Sequence, residues 1–250
     1  QDLSKTILID CLDCELSYTK DNIAKIPKHK NIQVKPYMPD VYAHKTLLSN
    51  QKYVTITPDK EHKDLVKYRS DLARIILLYL YGGIYYDLDM ILLKDLSDFK
   101  DIEFCYQWSN QHQRGNNGLL GLKKHSVVGK DIMKSYNKVL NKFTSKYDFN
   151  TRLNKQIYNS ELNINCLPCA LFDPVWLTFD CDESSRYSDL NNFDDFFKYT
   201  KEKVTIDTFF NGRIYAYHWH SRNNIIVEKD SYFSRLENDI NNKLNYILNE

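Results

Sequence analysis

Two aspartates, Asp87 and Asp89, stand one residue apart after a short apolar run and are the strongest candidates for chemistry in this sequence. In an extended strand alternate side chains share a face, so we expect both carboxylates to point the same way and Leu88 to turn into the core. Paired carboxylates suit a hard divalent cation, which prefers oxygen ligands. Such a cation could hold a diphosphate, so the pair predicts a cation site for a phosphorylated substrate.

The residues before this pair predict the elements that position it. An apolar helix is expected over residues 62–81, and Gly82 and Gly83 end it because glycine tolerates the left-handed conformation found at helix C-termini. Residues 84–87 then predict a central strand. Ligands of α/β sheets bind at the carboxyl ends of strands, and the two aspartates fall at such an end.

Alternating helical and extended patterns predict one α/β domain over residues 1–250, with a mostly parallel central sheet flanked by helices. Further strands are expected at residues 6–10, 53–57, 103–108, 118–122 and 213–218. Further helices are expected at residues 127–140 and, as an amphipathic terminal helix, at about 231–248. The polar stretch between the first two strands, which contains Pro27, Pro36 and Pro39, predicts loops and short elements.

Charge and composition exclude several classes of protein. The formal net charge is +1, and lysine and arginine are scattered, which argues against a nucleic-acid partner. The longest apolar run, residues 75–86, is too short to span a membrane. The chain shows no signal peptide and no Asn-x-Ser/Thr sequon, which favours a cytoplasmic location. Because the chain begins with Gln1, a trimmed anchor and a Golgi or secretory location stay open.

Three charged residues share one face of the predicted helix. Lys67, Asp71 and Arg74 follow the spacing that places side chains one above the other on a helix. One interpretation is a salt bridge between Asp71 and Arg74 on a solvated surface. The other is a ligand-binding face, in which Asp71 accepts hydrogen bonds from hydroxyls of a ligand and Arg74 contacts the ligand or its diphosphate.

Two histidines near the C-terminus are candidate nitrogen ligands for the cation. His218 and His220 are two residues apart, so they share a face if the chain is extended there, and either could complete the metal shell. A cation that accepts both carboxylate and imidazole, such as Mn²⁺, would suit that set. Ordinary packing or hydrogen bonding is the alternative for both residues.

The six cysteines include two C-x-x-C pairs, Cys11/Cys14 and Cys166/Cys169. A zinc site shared by the pairs is one interpretation, but the pairs lie much farther apart than in the usual zinc motifs. Reduced, half-buried thiols are the interpretation that we favour.

A combined pattern resembles the DXD-containing sugar-binding region of a large glycosyltransferase family: it reads Arg69-Ser70-Asp71-x-x-Arg74 and then Tyr81-Gly82-Gly83-Ile84-Tyr85-x-Asp87-x-Asp89. Yeast-type initiating mannosyltransferases and large clostridial-toxin glucosyltransferases belong to this group. The resemblance implies a GT-A fold and metal-dependent transfer of a sugar from a nucleoside diphosphate, UDP being favoured, to a saccharide or other hydroxyl acceptor. It further implies Mn²⁺ (or Mg²⁺) as the cofactor.

The same resemblance assigns roles to individual residues. The donor-binding residues would be Arg69, Asp71, Arg74, Tyr85, Asp87 and Asn117, the last from the string Asn117-Gly118-Leu119-Leu120-Gly121. The metal ligands would be Asp87, Asp89 and His218, with His220 as the alternative. The catalytic set would be Asp87, Asp89 and Asp173.

Asp173 marks a departure from the family pattern. It occupies the place where the related stretch usually reads Thr-Gly-Pro, so it could alter the acceptor side or supply a base. The resemblance favours retention of configuration at the transferred sugar. An inverting reaction would need a carboxylate base near the acceptor hydroxyl, and Asp173 is the candidate.

Two other functional classes remain open. A metal-dependent phosphoesterase or nucleotide hydrolase would also use carboxylates and histidines, but it requires enough ligands for two metals, and the sequence shows no further motif that supplies them. A noncatalytic sugar-binding module that retains the fold is the third possibility.

Overall fold

A computed structural model describes residues 6–10, 24, 32–49, 65–107, 115–141, 164–175, 193–205, 207–208, 213–220 and 225–248. The strands in these segments are β1 (Thr6–Asp10), β2 (Ile32–Pro36), β3 (Gly83–Tyr86), β4 (Met90–Leu92), β5 (Phe104–Gln107), β6 (Gly115–Leu122), β7 (Asn165–Leu167) and β8 (Ala216–His218). The α-helices are α1 (Pro39–Ala43), α2 (Leu65–Tyr81), α3 (Val127–Asn141) and α4 (Tyr232–Leu248).

The described strands and helices confirm the α/β class, and the sheets contain both parallel and antiparallel pairs. Strands β1 and β2 pair in parallel, as do β5 and β7, whereas β4 and β8 are antiparallel. The largest sheet has the order β3–β6–β5–β7. Strand β3 lies at one end of this sheet among the described strands, and the central position predicted for residues 84–87 stays a prediction.

Helices and strands with strong patterns begin and end close to their predicted limits. Helices α3 and α4 match the predictions to within one residue, and α2 covers the described part of the predicted helix. The polar stretch predicted to hold loops and short elements contains the five-residue strand β2, which pairs with β1 over its whole length, and the five-residue helix α1. The strand predicted at residues 53–57 lies outside the described residues.

The chain forms two compact units. The first takes Gln1–Tyr85, Phe99–Glu103 and Gly121–Ile164, and the second takes Tyr86–Asp98, Phe104–Leu120 and Asn165–Glu250. The prediction that residues 1–250 form one glycosyltransferase domain stays a prediction. None of the helices in the described part of the chain is long and apolar enough to cross a membrane.

Helix α2 is the core element of the first unit. It contacts both α1 and α3. From Asp71 to Ala73 and on through Ile75, Ile76 and Leu78 its side chains are buried, so the helix is covered on several sides. Gly82 ends it with φ +71°, and its N–H donates to the carbonyl of Leu78 at 2.7 Å. This closure confirms the predicted glycine stop.

The second unit packs α4 against the segment Phe193–Phe197. An apolar cluster joins them to β8, and its fully buried members include Phe196, Phe197 and Tyr217. Tyr217 is the residue before His218, so burial of its ring fixes the end of β8. The rings of Phe196 and Tyr217 lie 4.8 Å apart between centroids.

Candidate active site

The two aspartates lie in a turn between β3 and β4 rather than at the end of an extended strand. Strand β3 ends at Tyr86, and the N–H of Met90 donates to the carbonyl of Asp87 at 3.0 Å. Leu88 stands at the top of this turn and is 87% exposed. The prediction that Leu88 turns into the core is therefore wrong, because the turn projects it outward. The turn, not strand alternation, brings the two aspartates together.

Backbone hydrogen bonds fix both aspartates against strands of the second unit. The N–H of Asp87 donates to the carbonyl of Gly118 in β6 at 2.7 Å. The N–H of Trp219 donates to the carbonyl of Asp89 at 3.0 Å, and Met90 lies opposite His218 in the β4–β8 register. His218 is therefore held beside the aspartate turn by the strand pairing itself.

Asp87, Asp89 and His218 form a compact group of metal-ligating side chains. One ligand atom from each residue lies within 4.8 Å of the other two. The Nε2 of His218 is 3.2 Å from Oδ1 of Asp89, and both side chains are largely shielded from solvent. Two carboxylates and one imidazole are a donor set that suits Mn²⁺, and Mg²⁺ would use mainly the oxygens.

Gly118 leaves the room that this group occupies. A Cβ atom at this position would lie 3.0 Å from Oδ2 of Asp87 and 3.6 Å from Cε1 of His218. The same atom would lie 3.1 Å from Oδ1 of Asn116. A side chain here would crowd the Asp87 carboxylate and the Asn116 amide and would reach ordinary contact distance of His218, so glycine at position 118 gives this group its space.

A chain of oriented hydrogen bonds leads to His218. The N–H of Gly118 donates to Oδ1 of Asn116 at 2.8 Å, which fixes the amide so that its Nδ2 donates to the hydroxyl of Tyr106 at 2.6 Å. The Tyr106 hydroxyl lies 2.8 Å from Nδ1 of His218. Burial, with added repulsion from Asp173, Cys169 and the two aspartates, raises the pKa of Tyr106 well above its ordinary value.

The neutral hydroxyl of Tyr106 therefore keeps its proton. Asn116 already donates to the Tyr106 oxygen, and the tautomer of His218 decides whether the hydroxyl donates to Nδ1 or accepts from it. The other ring nitrogen, Nε2, faces Oδ1 of Asp89. The orientation of the ring is thus determined on both of its nitrogens.

Asp173 and His220 form a second group of polar side chains, which packs beside His218. Oδ2 of Asp173 lies 2.7 Å from Nε2 of His220 and 3.8 Å from Nδ1 of His218. The two imidazole rings stack with centroids 3.8 Å apart. His220 has φ +56°, an uncommon conformation for a residue other than glycine and one that clusters at functional sites. Asp173 has no exposed surface.

Comparison with known proteins identifies the region around the aspartates. Residues 11–115 match the family described as the glycosyltransferase sugar-binding region containing the DXD motif. This stretch, which is less than half of the chain, is therefore similar to a DXD-type sugar-binding region. Asp87 and Asp89 lie within the matched residues, whereas Asn117, Asp173 and His218 lie beyond them.

One relative supports the same family. A 70-residue segment is 34% identical to an uncharacterized glycosyltransferase of Acanthamoeba polyphaga mimivirus, and it covers 27% of this chain and 28% of that protein. The chain thus matches little more than a quarter of that relative's length. No solved structure matches the chain.

Within the sugar-binding region, Asp71 and Arg74 are both buried in α2. Their side chains meet at 3.1 Å, so the alternative of a solvated surface salt bridge is wrong. Arg74 also donates to Oγ of Ser70 at 3.2 Å, and its guanidinium lies 4.5 Å from the centre of the Tyr85 ring. Arg69 belongs to the same helix, and its side chain lies outside the described part.

Asn117, just beyond the matched region, is buried inside β6 rather than in a turn at its edge, because the strand already begins at Gly115. The sequence interpretation missed three neighbours of the cation group: Tyr106, Asn116 and Gly118. Asn116 had a local signal, since an asparagine two residues before a glycine often accepts a backbone N–H of its own turn. Tyr106 had none, because its partners are distant in sequence.

Proposed function

We propose that this protein is a metal-dependent glycosyltransferase that moves a sugar from a nucleoside diphosphate sugar, with UDP favoured, to a hydroxyl of a saccharide or other acceptor. The observation that carries the proposal is the convergence of Asp87, Asp89 and His218 in a chain with a DXD-type sugar-binding region. We include in the proposal one domain over residues 1–250 and, from the missing sequon, a cytoplasmic location.

Asp87, Asp89 and His218 would hold the cation, with Mn²⁺ (or Mg²⁺) as the ion. When bound, such a cation neutralises the negative charge that develops on a departing nucleoside diphosphate. The carboxylates offer hard oxygen donors, and the turn between β3 and β4 holds them at fixed positions through backbone hydrogen bonds to β6 and β8.

Tyr106 and Asn116 would position His218 for this task. If Nε2 is the ligand atom, the neutral ring carries its proton on Nδ1 and donates it to the Tyr106 oxygen, 2.8 Å away. That oxygen has two lone pairs, so it accepts from both Asn116 and His218, and the hydroxyl proton turns to another acceptor. The same short contacts thus support the ring in both tautomers.

The donor sugar would be bound by Asp71, Arg74, Tyr85, Asn117 and Arg69, as the family resemblance implies. Support for this part comes from the fixed geometry of Arg74, whose guanidinium lies between the Asp71 carboxylate and the Tyr85 ring. A guanidinium held in this way loses little freedom when it binds a ligand, so its hydrogen bonds are formed at low entropic cost.

On the acceptor side, Asp173 stays a candidate base for an inverting reaction, and the resemblance favours retention. The contact between Asp173 and His220 offers a further role, in which the buried carboxylate holds His220 in its left-handed conformation against His218. Through this stack Asp173 would limit the rotation of His218.

A metal-dependent phosphoesterase is the second candidate, because Asp173, His218 and His220 are a second group with ligand atoms within 4.8 Å of one another. Two cations would then have to share His218 through its two nitrogens. The short contact between His220 and Asp173 already satisfies two of these ligand atoms, which favours a single cation. The number of Mn²⁺ ions bound per chain separates the two candidates.

The test is release of nucleotide from a panel of UDP- and GDP-sugars with and without Mn²⁺, in which water serves as the acceptor. Asp89→Asn keeps the volume of the side chain and removes its charge. Asp131→Asn is the matched control, since Asp131 lies on α3 in an exposed pair with Lys134. We expect Mn²⁺-dependent release from one donor, retained in Asp131→Asn and lost in Asp89→Asn.

The outcomes separate the candidate functions. Release of free sugar and nucleoside diphosphate from one donor supports the transferase. Cleavage of nucleotides to inorganic phosphate with two Mn²⁺ per chain supports the phosphoesterase. If calorimetry shows that neither UDP nor GDP binds in the presence of Mn²⁺, the transferase proposal fails.

A further inference from the structure

Two cysteines that are far apart in sequence lie side by side in the sheet of the second unit. Strands β5 and β7 pair in parallel, and Cys105 and Cys166 are directly opposite each other in the register. Neighbouring strands are about 4.8 Å apart, which falls inside the range of Cα separations that a disulfide can bridge. Residues opposite each other in a parallel pair also point to the same face. Neither cysteine is in a disulfide, and each thiol shifts the pKa of the other.

The two thiols differ in exposure and in pKa, the two properties that decide which thiol of a pair is oxidised first. Cys166 is exposed on β7, the last strand of the sheet as described, whereas Cys105 is buried on β5. The hydrogen bond from Cys105 lowers the pKa of Cys166, and the same bond, together with burial, raises the pKa of Cys105. Thiolate character and exposure decide which cysteine an oxidant attacks first, so Cys166 is the one that reacts.

We propose that Cys166 and Cys105 are a peroxide-sensitive pair, in which Cys166 is the thiol that is oxidised and Cys105 resolves it to a disulfide between β5 and β7. The C-x-x-C spacing would pair Cys166 with Cys169 instead. The structure argues against that pairing, because Cys169 is buried and its Sγ–H points to the backbone carbonyl of Asp173 at 3.6 Å.

The chemistry balances with a hydroperoxide as the oxidant. The Cys166 thiolate attacks one oxygen of hydrogen peroxide, the O–O bond breaks, and water leaves after protonation, so Cys166 becomes a sulfenic acid. The Cys105 sulfur then attacks the Cys166 sulfur, the S–O bond breaks, and the Cys105 proton leaves with the hydroxide as water. Two thiols and one peroxide give one disulfide and two waters.

The experiment treats the intact chain with one equivalent of hydrogen peroxide and maps the cysteine peptides by mass spectrometry, with and without dithiothreitol. We expect a crosslink between the peptides of Cys105 and Cys166 that dithiothreitol reverses. In Cys105→Ser the sulfenic acid of Cys166 should persist and be trapped by dimedone. In Cys166→Ser the Cys105 thiol should stay reduced.

Cys169→Ser is the matched control, since it removes the other half of the C-x-x-C pair and a buried thiol of the same unit. The crosslink should form in this variant to the same extent as in the unchanged chain. A disulfide between Cys166 and Cys169, or dimedone labelling of Cys105 before Cys166, would overturn the proposal. Because the readout is covalent mass, the result does not depend on the proposed transferase activity.

Discussion

The imidazole of His218 faces the carboxylate of Asp89, with Nε2 and Oδ1 3.2 Å apart, although the two residues come from opposite halves of the chain. The antiparallel pairing of β4 with β8 creates this contact, since Met90 and His218 are partners in the register and Asp89 precedes Met90. A local feature of the sequence, the DXD turn, is thereby completed by a strand near the C-terminus.

Removal of His218 should weaken cation binding directly. We expect His218→Ala to lower the affinity for Mn²⁺ by at least about 100-fold. Loss of an outer-shell partner usually lowers metal affinity by about 10–100-fold, and loss of a ligand itself should have a larger effect. Titration of Mn²⁺ followed by electron paramagnetic resonance measures this. His125→Ala is the control, since His125 is exposed and stacks on Tyr79. Equal Mn²⁺ affinity in both variants would exclude His218 as a ligand.

Gly118→Ala should disturb the cation group through crowding. The new methyl group would lie 3.0 Å from Oδ2 of Asp87 and 3.1 Å from Oδ1 of Asn116, closer than ordinary contact, so these side chains must shift. We expect Mn²⁺ affinity to fall about 10-fold or more and stability to fall by about 1–3 kcal/mol. Gly129→Ala in α3 is the control. Its methyl group would lie 3.1 Å from Oγ of Ser126, which is similar crowding at a position outside the cation group. Unchanged Mn²⁺ affinity in Gly118→Ala would contradict the proposal that the cation site needs a glycine at position 118.

Tyr106→Phe should reveal how much the oriented hydrogen bonds contribute. The change removes the hydroxyl that contacts both Asn116 and His218 and leaves the ring in place. We expect Mn²⁺ affinity to fall by about 10–100-fold, the usual range for an outer-shell partner of a ligating histidine. Tyr136→Phe removes another buried hydroxyl, in α3, and should leave Mn²⁺ affinity unchanged. A purely structural role of Tyr106 would lower stability and spare the affinity.

Asp71→Asn should destabilise the fold far more than the substitution Asp131→Asn in an exposed ion pair. Arg74 would remain buried without the carboxylate that it meets at 3.1 Å, which costs about 3–5 kcal/mol. Asp131→Asn breaks another pair with the same i, i+3 spacing, at 2.7 Å from Lys134 on an exposed face, and should change stability by about 1 kcal/mol at most. Urea denaturation of the two variants compares the free energies of unfolding. Similar values would mean that the Asp71–Arg74 pair carries little energy.

Features that depend on near neighbours in the chain could be predicted from the sequence. The helix before Gly82, the glycine stop and the DXD pair follow from periodicity and from backbone preferences, and all of them lie within residues 65–89. The C-terminal helix could also be predicted, because its apolar residues recur with helical spacing.

Tertiary structure alone decided the rest. The contact of His218 with Asp89, the support from Tyr106 and the pairing of Cys105 with Cys166 each depend on which strands are neighbours and in which register. Local patterns do not specify register between distant strands, since a shift of one residue moves every side chain to the other face. The exposure of Leu88 could not be predicted from local pattern either. The hydrogen bond from the N–H of Met90 to the carbonyl of Asp87 closes a turn there, so the strand alternation that predicted burial of Leu88 does not apply.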